Sequence, residues 1–126
     1  MSSLQFDLLE DGTVALTIPT QPEETTVVLD TERVDEILKG LGKFRASMQP
    51  EVPRDWQMGG KVIATADPIW RTEPEMLQGN SLLHLRDPGY GWLHYMIPKA
   101  EAKRLAEFLT RQADAPSLEP GPGKAN

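Results

Sequence analysis

The chain reads as an α+β domain, an antiparallel β-sheet with two amphipathic helices packed on one face. Three observations predict this. Short runs that alternate apolar and polar residues are separated by turn residues. Two other segments place apolar residues at helical spacing. Each helical segment follows a strand, so the pattern is strands then helix.

Leu4 to Leu8 and Val14 to Ile18 alternate around Glu10-Asp11-Gly12, an Asp-Gly hairpin signal. Thr25 to Leu29 is β-branched and reads as a third short strand. Asp30 then suits a helix N-cap, with acids in the first turn where the helix dipole favours them. Val34, Ile37, Leu38, Leu41 and Phe44 form one apolar stripe. Gly40 and Gly42 weaken this helix, each by about 1 kcal/mol relative to alanine; they either admit a close neighbour or end the helix early.

Residues 47–60 form a connector stiffened by Pro50 and Pro53 and freed by Gly59-Gly60. Trp56 sits in it, either plugging the edge of a core or acting as a lid over a pocket. Lys61 to Ala66 reads as a strand, continued by Pro68-Ile69-Trp70, and Glu73 to Asn80 as a loop or single turn. Pro98 opens the second helix, where a missing N–H costs little. Ala102, Leu105, Ala106 and Leu109 form its inner stripe. Residues 1–113 are thus expected to make one domain, and residues 114–126, rich in proline and glycine, a disordered tail.

The two halves align at an offset of 68 residues, with Leu29–Leu41 over Ile97–Leu109. A duplicated strands-then-helix unit would produce this match. Any two amphipathic helices would produce it too.

Composition narrows the function classes. Without cysteine there are no disulfides, thiolate metal sites or cysteine nucleophiles. No basic region precedes an apolar run at the N-terminus, and no segment approaches the roughly 20 apolar residues that span a bilayer. The expectation is a cytoplasmic protein without membrane contact. Residues 1–60 hold eleven acidic and five basic side chains, while residues 61–126 hold eight of each. The net charge of −6 therefore resides in the first half. Such a surface repels phosphate backbones, so no nucleic-acid partner is expected. It serves solubility or docks a basic partner.

The richest stretch is Leu82 to Met96, which holds both histidines, both tyrosines and one of the three tryptophans. A loop at Asp87 to Gly91 would pair Arg86 with Trp92, Leu85 with Leu93 and Leu83 with Tyr95. One face becomes apolar, while the other carries Leu82–Met96, His84–His94 and Arg86–Trp92. A tighter Pro88-Gly89 turn would mix polar and apolar groups on both faces. Segregation of apolar residues sets register, so the first pairing is expected.

That pairing places the two imidazoles opposite each other and Arg86 over Trp92 as a cation–π pair. The face then serves as a half-exposed sheet surface, as a contact surface anchored by His84, Arg86, Trp92 and His94, or as a metal or catalytic site. Tryptophan and arginine favour the contact role. Zinc takes three or four ligands; Asp67, Glu73 and Glu75 are the carboxylates that could lie near the histidines, but the sequence does not place them. Ser81, a histidine and Asp87 have the residue types of a triad but no surrounding nucleophile motif. The glycines match no nucleotide-binding spacing. No catalytic residue, metal ligand or cofactor is therefore assigned. The reading is a non-catalytic binding or adaptor domain that engages a protein partner or self-associates. Its alternatives are a small-molecule pocket under the 47–60 connector gated by Trp56, and a histidine-dependent hydrolase or metal enzyme.

Overall fold

The structure is a computed structural model that describes residues 3–56 and 59–117. The chain divides into two compact units, residues 1–62 and 63–126.

In the first unit, β1 (Gln5–Leu8), β2 (Val14–Ile18) and β3 (Thr25–Leu29) form an antiparallel sheet in that order. The Asp-Gly signal forms the first turn. Asp11 accepts hydrogen bonds from the backbone N–H and the hydroxyl of Thr13, and Gly12 takes a φ of 87°. Those bonds hold the Asp11 carboxyl below its ordinary range, the hydroxyl contributing most. Across β2 and β3, Thr17 faces Thr26 with hydroxyls 3.0 Å apart.

Helix α1 (Thr31–Arg45) begins as expected, with the Asp30 carboxylate accepting from the Arg33 N–H at 2.9 Å. It runs through Gly40 and Gly42 without ending. A Cβ at either glycine would meet nothing within 4 Å, so neither marks a close approach among the described residues. Propensity losses of this size yield to the rest of the helix.

In the second unit, β4 (Trp70–Pro74), β5 (Ser81–Asp87) and β6 (Gly91–Ile97) form another antiparallel sheet in that order, followed by α2 (Lys99–Asp114). Pro98 precedes the first helical residue and occupies the N-cap position. The proposed tail lies mostly outside the described residues.

The α+β class therefore holds, with two differences from expectation. The six strands form two three-stranded sheets instead of one. Each set is joined by local connections, whereas the described residues between α1 and β4 contribute no strand to tie the sets together. Second, Lys61 to Ala66 forms no strand. A strand needs a ladder partner more than it needs β-propensity. Both edges of β5 are already occupied, by β4 and β6.

Helix-to-sheet packing is slight. Helix α1 meets its sheet chiefly at β3, and among the described residues α2 makes no comparable contact with the strands of its own unit. Among the described residues no apolar side chain is buried, and Thr17 is the one buried polar residue. No helix among them is long and apolar enough to cross a membrane.

Candidate functional site

The β5–β6 hairpin adopts the register that hydrophobic segregation favours: Leu82 pairs with Met96, His84 with His94 and Arg86 with Trp92. Its turn is fixed by Asp87, whose carboxylate accepts from the N–H of Tyr90 at 2.8 Å and of Gly89 at 2.9 Å. The Thr65 hydroxyl adds a longer bond at 3.4 Å. The Tyr90 N–H bond first, then that from Gly89, holds the Asp87 carboxyl below its ordinary range. Gly91 closes the turn with a φ of 81°, a conformation that costs little only without a Cβ.

On the face so formed, His84 Nδ1 and His94 Nδ1 lie 2.8 Å apart, with the rings edge to face at 5.0 Å between centroids. The neighbouring strand supplies a third member. Arg71 pairs with His84 in register, and Glu73, two residues along, places Oε1 3.0 Å from His84 Nε2. Arg71 Nη2 stands 3.8 Å from the other Glu73 oxygen. The His84 side chain is only 15% exposed, against 43% for Glu73.

Hydrogen-bond logic assigns the protons. An ionised Glu73 carboxylate can only accept, so His84 Nε2 donates. A neutral His84 then has a bare Nδ1, which accepts from His94 Nδ1–H. His94 Nε2 is left as an acceptor with no hydrogen-bond partner among the described residues.

Sequence reasoning left Glu73 in a loop and missed its role. The available signal was the alternation of Trp70, Thr72 and Pro74 against Arg71 and Glu73, which marks a strand. The other carboxylates go elsewhere. Glu75 folds back on its own turn, accepting from the N–H groups of Leu77 and Gln78 and from Asn80. No group of three potential ligands suited to a metal ion exists among the described residues.

The remaining sequence candidates separate. Ser81 opens β5 and Asp87 ends it. Six steps along the strand separate them by about 20 Å, and both lie on the face opposite His84. They cannot join one hydrogen-bonded triad. Arg86 and Trp92 are register partners, but the cation–π contacts among the described residues fall on Phe108, from Arg104 and Arg111. Trp56 is 71% exposed in the first unit. It does not line the hollow of about 140 Å³ beside Gly12, Val14 and Val34 in that unit.

This arrangement offers an oriented imidazole on a sheet face. No protein-family model, curated protein or solved structure matches the chain.

Proposed function

We propose that the chain is a small non-catalytic binding module that acts through protein contact, first with a second copy of itself. The observation that carries this reading is the absence of any buried apolar side chain among the described residues. A domain of this length ordinarily buries about two thirds of the surface its unfolded chain exposes, and that burial offsets the entropy of folding. By register, Trp70, Leu83, Leu85, Leu93, Tyr95 and Ile97 share one face of the second sheet. A strip of this kind favours a protein cover. The opposite face carries His84, Arg86, Trp92 and His94, residue types that supply specificity at contacts.

Light scattering across a concentration series tests the reading. The expected mass is about twice 14.0 kDa, and Tyr95→Arg, an exposed position on the apolar face, shifts it toward one chain. A constant mass of one chain at every concentration removes self-association. If capture from lysate then returns no protein that Tyr95→Arg or Trp92→Ala releases, the binding reading fails as well.

A further inference from the structure

We infer that Glu73, His84 and His94 form a proton-gated contact point: His94 Nε2 is a bare hydrogen-bond acceptor while both imidazoles are neutral, and a donor once one proton is taken up. The basis is the continuous chain from Glu73 Oε1 to His84 Nε2 at 3.0 Å and from His84 Nδ1 to His94 Nδ1 at 2.8 Å. Each link admits one proton, and the carboxylate at one end sets the direction of both. The tautomer of the outermost imidazole is thereby imposed from two strands away.

A proton from solvent has one open acceptor among the imidazole nitrogens, His94 Nε2. Its arrival leaves both hydrogen bonds intact, because His94 Nδ1–H still donates to His84 Nδ1. A second proton has only His84 Nδ1 to occupy. Two N–H groups would then face each other, and the link between β5 and β6 opens. The pair therefore binds one proton with its geometry kept and a second only by breaking it.

The charged groups sharing this face are Arg71 and Glu73 from β4 and Arg86 from β5; Trp92 and Met96 flank His94 on β6. The first proton raises the formal charge of this set from one positive to two. With both imidazoles neutral the point fits a partner's hydroxyl or ammonium donor; with one proton taken up it fits a carboxylate, with Arg86 adding attraction. The biological use rests on the contact role proposed above. The test reads protonation directly, so its failure is distinguishable from failure of that reading.

Long-range proton–nitrogen NMR of the uniformly ¹⁵N-labelled full chain at about pH 8 and about pH 5 spans the imidazole range. At the upper pH, His84 is expected as the Nε2–H form and His94 as the Nδ1–H form, the rarer one for a free imidazole. His84→Phe returns His94 to Nε2–H, and Glu73→Ala lowers the Nδ1–H population of His94 by releasing His84. At the lower pH, added sodium acetate moves the His94 resonances; at the upper pH it does not. An Nε2–H His94 in the unaltered protein overturns the inference, and so does an equal response to acetate at both pH values. Should His84→Phe fail to fold, Glu73→Ala decides alone: an unchanged His94 overturns the chain.

Discussion

His84 and His94 stand directly opposite each other on antiparallel strands, with their Nδ1 atoms in hydrogen-bond contact. That contact follows from hairpin register, which segregation of apolar residues favours and the turn holds in place. Asp87 and Gly91 bracket the turn, and each admits a sharp test.

Gly91 holds a positive φ, whereas Gly89 does not. Gly91→Ala should cost about 1–2 kcal/mol, the penalty for forcing a side chain into the left-handed region. Gly89→Ala places a Cβ 3.4 Å from the Asp87 carboxylate, an ordinary contact; its cost should stay within about 0.5 kcal/mol. Equal losses in thermal or denaturant unfolding would argue against the turn described.

Asp87 makes the hairpin sensitive to acid. Its pKa is lowered in the folded chain, first by the Tyr90 N–H and then by the Gly89 N–H. A lowered carboxyl pKa contributes stability that is complete above the unfolded carboxylate range and is lost as pH falls through the folded value. Carboxyl ¹³C titration should therefore place Asp87 below an aspartate in an unstructured peptide, with the Gly89 and Tyr90 amide resonances moving in parallel. Asp87→Ala should abolish that movement and speed amide exchange at both residues. A midpoint at or above the peptide value contradicts the assignment.

The hairpin was legible from the sequence because its information is local. Leu83, Leu85, Leu93, Tyr95 and Ile97 fall on one face in only one register, and a turn of suitable composition lies between them. The third member of the histidine chain was not legible. Glu73 reaches His84 only because β4 pairs with β5, and the sequence offered residues 61–66 as a competing strand of higher β-propensity. Which segment takes the free edge of β5 is decided by ladder pairing, which no propensity encodes. The number of sheets was hidden for the same reason: strand patterns specify faces, not which edges join. The α1 boundary followed from Asp30, since capping too is local.

The open surroundings of Gly40 lead to a prediction that also probes assembly. Nothing lies within 4 Å of a Cβ built there. Gly40→Ala should therefore stabilise the helix by up to about 1 kcal/mol through lower unfolded-chain entropy and higher helix propensity. A gain seen at low concentration and lost on association would place Gly40 inside the interface between copies. A loss at every concentration would mean that α1 is closely covered within the single chain.

Trp92 should dominate any contact made through the histidine face. It is half-exposed beside His94, and large aromatic side chains supply a disproportionate share of contact energy. Trp92→Ala should weaken association through this face by about 2 kcal/mol, a fall of roughly 30-fold in affinity. Tyr95→Arg acts on the opposite face of the same strand. Measuring both by sedimentation equilibrium distinguishes the two surfaces: loss with Tyr95→Arg alone assigns the apolar face, and loss with Trp92→Ala alone assigns the histidine face.

The Thr17–Thr26 pair tests the first sheet independently of association. Their hydroxyls are 3.0 Å apart, and Thr17 is the most enclosed polar residue described. Thr17→Val keeps the shape of the side chain and leaves the exposed Thr26 hydroxyl free to bond water, so it should cost little. Thr26→Val leaves the buried Thr17 hydroxyl unpaired and should cost about 1 kcal/mol. Replacing both should be nearly neutral, because the penalty arises from a hydroxyl left unpaired and the double variant leaves none. The coupling energy from the full cycle is thus expected to be close in size to the sum of the two single losses. If the two losses simply add, the hydroxyls do not bond each other, and the pairing of β2 with β3 differs from the register Thr17 to Thr26.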